Sequence, residues 1–321
     1  MQANNAISIV IPNWNGAALL AKNLPAVLTA AGPETEVIVV DDGSRDNSRE
    51  VVRELAGRFE NLKLIVQKKN SGFSSAVNAG VSKARGEIVV LLNTDVRPEN
   101  NFLQYLPADF GDDRIFAVGF LDRSYEKGRI VERGRAVGRF ARGFLMHNLG
   151  EIKPGVSLWA NGGSGAFHRR KWQDLGGLDT ILDPFYGEDL DLGYRAWKSG
   201  YRIIFDPRIV VGHFHEEGPI RGHFSPFYRR AVAFRNQNII VWKDITDPGY
   251  IFNYFYWLPF HLLRAILRGD GAMVYGLILA IFKIPQAFRR RLQTGKKFIL
   301  SDREVGKYFA FARPLKNEEL F

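Results

Sequence analysis

Acidic and amide side chains stand where short apolar runs stop. Asp41 and Asp42 follow residues 36–40, and Asn93, Thr94 and Asp95 follow residues 87–92. A carboxylate at Asp42 can accept hydrogen bonds from a base or ribose edge, and the Trp14 indole offers a face for stacking. The same Asp-Asp-Gly-Ser sequence also suits a turn and a helix cap. On a strand, Asn93 and Asp95 share one face. Two oxygen-bearing side chains so placed suit a hard divalent cation, Mg2+ or Mn2+. Such an ion would bridge two phosphates and offset the charge of a departing nucleoside diphosphate.

A second acidic group, Glu188, Asp189 and Asp191, follows Pro184-Phe185-Tyr186-Gly187 at the expected start of a helix. The helix dipole favours anions there, yet three acids in four residues exceed what a cap requires. Glu188 and Asp189 are the candidate catalytic pair, with Asp189 able to deprotonate an acceptor hydroxyl as general base. His213 and His215 follow the apolar residues 209–211, and each suits a metal ligand, a phosphate donor or a core residue. The basic residues Arg123, Lys127, Arg129, Arg133, Arg135, Arg139 and Arg142 suit a solvated face better than a phosphorylated-acceptor site.

The elements that must position these groups follow from apolar spacing. β-Branched runs at 7–11, 36–40, 62–66 and 87–92 predict strands, and helical periodicity covers 17–30, 46–58 and 74–84. Ser44, Asp46 and Ser71 are the expected N-caps. Apolar strands separated by helices predict an α/β fold with a mostly parallel, Rossmann-like sheet flanked by helices. Ligands bind such sheets beyond the carboxyl ends of the strands. Pro12, Trp14, Asn15, Asp42 and Asn93–Asp95 would therefore meet at one edge. Residues 122–157, rich in Arg and Gly, predict a long, partly mobile excursion across the open face. An ordered block from 159 to 242 holds a Gly-rich stretch at 161–166 and a helix through Lys198 with Gly200 as its cap.

Bulk properties limit the remaining choices. The 321 residues, 46% hydrophobic and 24% charged, are those of a globular protein, and with no cysteine there are neither disulfides nor thiolate metal sites. The first eight residues lack the basic and apolar regions of a secretory signal, which predicts a cytoplasmic protein. Net charge is +10, and from His261 onward twelve Lys and Arg face five Asp and Glu. That tail is also aromatic and apolar, so it predicts interfacial helices on an anionic membrane surface rather than a nucleic-acid partner. Its apolar run at 271–282 falls short of the roughly 20 residues a spanning helix needs.

The order of motifs carries more than any one of them. Residues 7–16, Val39-Val40-Asp41-Asp42-Gly43-Ser44, Asn70-Ser71-Gly72-Phe73 through Asn78, and Leu91-Leu92-Asn93-Thr94-Asp95 occur in that sequence. Gly163–Arg170, Leu175–Asp179, Gly187–Arg195 and Pro207 with His213 follow. Over residues 6–242 this series resembles the family 2 glycosyltransferases, most of all their bacterial rhamnosyltransferase-like members. The resemblance implies a GT-A fold and inverting transfer from a UDP- or dTDP-type sugar donor to a glycan or lipid-linked acceptor.

It also implies site roles. Pro12, Trp14, Asn15, Asp42, Asn70, Gly72, Asn78, Asn93, Thr94 and Gly165 would bind the nucleotide sugar. Asp95 would bind the metal, His213 (or His215 beside it) would face the metal or the diphosphate, and Asp189 would be the base. Asn93 stands where the family usually has a first Asp, which leaves the metal site one carboxylate poorer. No Gln-x-x-Arg-Trp follows the acidic cluster, so one sugar per encounter is expected rather than a polymer. The expected layout is a catalytic region at 1–242, with a donor half to about 120 and an acceptor half beyond it, then a helical extension at 243–321. A sugar nucleotidyltransferase would need a basic Gly-rich loop after the first strand, and no Lys or Arg precedes Lys22. A non-catalytic nucleotide- or glycan-binding protein is disfavoured by the intact Asp42, Asp95 and Asp189.

Overall fold

The β-branched runs form four adjacent strands: β1 (Ile7–Asn13), β2 (Glu36–Asp41), β3 (Leu62–Val66) and β4 (Ile88–Leu92). Successive side chains on a strand point to opposite faces, and here both faces are apolar. Ile9, Ile11, Val37, Val39, Val90 and Leu92 join one core cluster with α1 (Ala17–Ala31) and α2 (Ser48–Ala56). Val10, Ile38, Val40, Val89 and Leu91 join another with α3 (Phe73–Lys83). This two-sided burial explains the unbroken apolar runs.

The computed structural model describes residues 6–126, 128–214 and 224–310. Further strands are β5 (Val96–Pro98), β6 (Ile115–Glu126), β7 (Arg129–Arg133), β8 (Ala136–Ala141), β9 (Phe144–Leu149), β10 (Gly155–Val156), β11 (Ser164–His168) and β12 (Arg202–His213). The main sheet runs β10-β12-β6-β11-β4-β1-β2-β3, with β5 on β12 and β7 on β6. As expected most strands are parallel, β1–β4 with β6 and β12, and the sheet is mixed because β5, β7, β10 and β11 oppose them. β11 lies antiparallel between β4 and β6, because the chain leaves β6 at the ligand edge and re-enters the sheet from that edge.

The expected mobile excursion is also corrected. Residues 122–157 are largely β structure: β6 continues to Glu126, Gly128 turns at φ +74°, β7 returns, and β8 pairs with β9. In the β6–β7 hairpin the periodicity is weak because Arg and Glu pair across strands, as in Arg123–Glu132 and Arg133–Glu126. Of the basic residues singled out from sequence, Lys127 lies outside the described residues.

Caps differ in detail from those expected. Asn47 and Gly72 precede α2 and α3, and neither Ser44 nor Ser71 caps a helix. Asp46 instead accepts from the N–H groups of Ala17 (2.9 Å) and Ser48 (3.1 Å), tying two helix starts together. Downstream helices are α4 (Leu106–Asp109), α5 (Arg169–Leu175), α6 (Glu188–Lys198), α7 (Pro226–Asp244), α8 (Pro248–Leu267), α9 (Gly271–Ile281), α10 (Ile284–Thr294) and α11 (Asp302–Phe309). Gly200, at φ +84°, closes α6: its N–H reaches Trp197 O, and that of Tyr201 reaches Ala196 O.

Buried charge then fixes α6 in place. Asp191 pairs with Arg195 and Lys243, while Lys198 and Tyr194 both bind Asp302 of α11. Among the described residues no single helix is long and apolar enough to cross a membrane. α9 and the helical stretch after it reach that length only as a pair bent by 67°.

Candidate active site

Beyond the carboxyl ends of β1, β2 and β4 lies a cleft of about 470 Å3. Pro12, Trp14, Asp42, Asn70, Gly72, Asn93, Thr94, Asp95, Glu188, Asp189 and His213 all line it. Three expected residues do not. Asn15 sits at φ +50°, takes the Arg45 N–H on its amide oxygen (2.8 Å) and gives its own N–H to Ser44, so it braces the loop. Asn78 spends both ends of its amide on the Leu178 backbone, 2.8 and 3.0 Å away, and so staples α3 to the acceptor half. Gly165 is paired inside the sheet with Leu91 and Gly119, where a Cβ would fall 2.8 Å from the Asn161 carbonyl oxygen. Asn161, Gly162 and Gly163 border the cleft in its stead.

Asp42 is buried and holds the loop that follows β3. Its carboxylate accepts the N–H groups of Ser71 (2.9 and 3.0 Å) and Gly72 (2.9 Å). Burial and the neighbouring Asp41 charge push its pKa up, against the pull of those N–H groups. Gly72 adopts φ +97°, and a Cβ there would lie 2.7 Å from the carboxyl carbon of Asp183. Asp183 in turn accepts the Ser74 N–H at 3.1 Å, joining this loop to the segment that leads into α6.

Asn93 and Asp95 do not share a strand face, since β4 ends at Leu92 and a turn closes from the Val96 N–H to the Asn93 carbonyl. Turn geometry still brings both to the cleft. Asp95 faces His213, with Oδ1 and Nε2 3.4 Å apart, and His213 Nδ1 meets Asp122 at 2.7 Å. Burial alone would lower the His213 pKa, but Asp122 and Asp95 outweigh it and hold it up at about 9. Asp122, which the sequence reading passed over, thereby orients the ring. Ser124 Oγ donates to the same carboxylate at 2.8 Å. His215 lies outside the described residues.

The donor set suits a divalent cation. Asp95 and His213 present one carboxylate oxygen and one imidazole nitrogen side by side, and the other imidazole nitrogen is already engaged. Among the described residues no group of three or more His, Cys, Asp or Glu is arranged to hold a metal ion by itself, so phosphate oxygens and water would complete the shell, as is usual for Mg2+.

On the opposite wall, α6 begins inside the cleft. Asp189 accepts the Leu190 N–H at 2.8 Å. Glu188 Oε2 is sealed from solvent with no hydrogen-bond partner among the described residues. Burial, with the Asp189 charge adding to it, pushes Glu188 up to about 8, and burial raises Asp189 too. The two carboxyls share one sealed wall, so both hold their protons to higher pH than exposed acids do. Asp191, the third acid of the cluster, points into the core toward Arg195 and Lys243 and takes no part in the cleft.

A family model described as Glycosyl transferase family 2 matches residues 8–172. Glycosyltransferase AglE of Haloferax volcanii is 32% identical over 281 residues, which cover 84% of this chain and 87% of that protein. The chain belongs to glycosyl transferase family 2. Solved structures agree on the fold. Mannosyltransferase PcManGT from Pyrobaculum calidifontis, in complex with GDP-Man and Mn2+, superposes with a TM-score of 0.54 at 20% identity, over 95% of this chain and 84% of that one. GalNAc-T7 with UDP, GalNAc and Mn2+ gives 0.63 at 20% identity, over 78% of this chain and 49% of that one. The family 2 fold seen here is thus the GT-A arrangement: a central mixed sheet flanked by helices, with further helices at its C-terminal end.

Proposed function

We propose that this family 2 enzyme transfers one sugar per encounter, with inversion, from a nucleoside diphosphate sugar to an acceptor hydroxyl. The donor is of UDP or dTDP type, carrying a hexose or a deoxyhexose as in the rhamnosyltransferase-like members. The observation that carries the reading is the pairing of opposite walls. Trp14, Asp42 and the Asp95–His213 pair lie on the strand-end side, and Glu188 and Asp189 lie across the same cleft.

Asp189 accepts the proton of the acceptor hydroxyl as its oxygen bonds to the anomeric carbon. The bond from that carbon to the diphosphate oxygen breaks, and the nucleoside diphosphate leaves with the electron pair. Glu188, protonated, donates a hydrogen bond to a substrate hydroxyl and leaves Asp189 as the charged base. Trp14 stacks the base, while Asn70 and Gly72 fix the loop over it. Asp95 and His213 would hold Mg2+ or Mn2+, which supplies charge neutralisation at the diphosphate. The Mn2+ in the PcManGT and GalNAc-T7 complexes supports that choice.

We assign residues 1–242 to catalysis, divided near 120 into donor and acceptor halves, and 243–321 to a membrane-facing extension. The protein then works peripherally on the inner, cytoplasmic face of the cell membrane, on a lipid-linked or polysaccharide-precursor glycan. A screen of UDP-, dTDP- and GDP-sugars for donor hydrolysis, with Mn2+ and with EDTA, tests the enzymatic part. Metal-dependent release of nucleoside diphosphate from one donor class is expected. Binding of nucleotide without any hydrolysis would favour the non-catalytic alternative.

A further inference from the structure

Tyr186 is the least comfortable residue around the cleft. Its backbone sits at φ +73°, a region that side chains other than Gly and Asn avoid, and Gly187 follows at +87°. Glycine at 186 would take the same backbone without strain. The conformation is enforced from behind. Asn236 of α7, 1% exposed, donates from its amide nitrogen toward the carbonyls of Leu182 (2.7 Å), Phe185 (3.1 Å) and Tyr186 (2.6 Å). Arg235 adds a bond to Leu182 O at 2.9 Å.

Burial does not explain the tyrosine. Tyr186 is 38% exposed and lines the cleft three residues before Asp189, with Phe185 edge-on to it at 4.8 Å. Strain held at a solvent-facing position beside a reactive group points to use of the side chain. We propose that Tyr186 is the platform on which the sugar ring of the acceptor stacks, and that Asn236 is the residue that positions it. This rests on the glycosyltransferase reading of the cleft. A flat ring with an apolar face and a polar edge matches the C–H face and hydroxyl rim of a pyranose. It would present an acceptor hydroxyl to Asp189 without drawing on the residues of the nucleotide wall.

The test is saturation-transfer NMR with UDP and Mg2+, using methyl glucoside, galactoside, mannoside and N-acetylglucosaminide as acceptor probes. At least one glycoside should take up saturation from the wild-type chain. That transfer should fall about tenfold, the equivalent of a tenfold loss of affinity, in Tyr186→Ala and Tyr186→Gly, and persist in Tyr186→Phe. Tyr186→Gly should also melt no lower than wild type, which a residue retained only for packing would not allow. No saturated glycoside in the wild type, equal saturation in Tyr186→Ala, or a lower melting point in Tyr186→Gly would each overturn the platform. UDP resonances in the same spectra report the donor site independently: their silence would count against the proposed function itself.

Discussion

Two neighbouring acids in α6 differ in how their charge is compensated. Asp191 is neutralised by Arg195 and Lys243 in the core, whereas Asp189 meets only backbone N–H groups and the cleft. Replacing Asp189 with Asn keeps the shape and removes the base, so kcat should drop about 10²- to 10⁴-fold while UDP affinity is retained; near-normal kcat would refute the assignment. Asp122 acts one bond further from the substrate. Asp122→Asn loosens the ring of His213, and Mn2+-dependent UDP affinity should weaken by about ten- to a hundredfold, measured by calorimetry with and without EDTA. Affinity unchanged in both conditions would remove His213 from the metal site. Asp95 and His213 could be placed at the cleft from sequence because they follow apolar runs, and Glu188 and Asp189 because they open a helix as an acidic cluster. Asp122 could not, since nothing in its neighbours shows that β6 continues past Leu121. Asn15, Asn78 and Gly165 do not line the cleft, because amides and glycines of the kind that suit ligands also brace loops and sheets.

At the level of elements, the parallel strands were readable because both of their faces are buried. The β6–β7 hairpin was not, because its Arg and Glu side chains pair only across strands, as in Arg123–Glu132. The foot of the parallel sheet has its own electrostatic clasp. Glu36 of β2 binds Lys63 of β3 (2.7 Å), Ser8 of β1 (2.6 Å) and Arg85 (3.1 Å). Burial by itself would raise its pKa, but these partners outweigh burial and bring it down to about 2. A carboxyl depressed on folding stabilises the fold above its unfolded pKa, near 4.5, and loses that contribution as pH falls toward 2. Lys63 and Arg85 are largely solvated, so Glu36→Gln should cost about 1–2 kcal/mol at pH 7. Urea midpoints should show that cost shrinking by pH 3, and a difference that stays constant over this range would contradict the clasp.

Across the whole molecule, the C-terminal helices invert the usual distribution of size. α9 turns its small residues Ala272, Gly276 and Ala280 inward, so tightly that a Cβ on Gly276 would lie 2.8 Å from Phe234. Its large Ile278 and Ile281, with Phe282 just beyond, stay exposed. α8 buries only Tyr254 and Ala265, while Phe252, Phe255, Tyr256, Phe260, Leu263, Ile266 and Leu267 form an outward stripe at helical spacing. An apolar face of this extent on a globular protein marks a contact surface. On the proposed membrane-facing reading, the basic groups close to it in sequence, Arg264, Arg268, Lys283 and Arg289, would meet an anionic lipid surface with α8 in the interface plane. The chain should therefore sediment with vesicles containing phosphatidylglycerol, and less with pure phosphatidylcholine. Phe260→Glu with Leu263→Glu removes about 2 kcal/mol of burial at each position, lowering vesicle affinity by about a thousandfold. Both side chains face outward, so circular dichroism and melting temperature should hold. If the double variant still sediments, or changes oligomeric state without changing vesicle binding, the face belongs to a protein contact and the acceptor need not be membrane-bound.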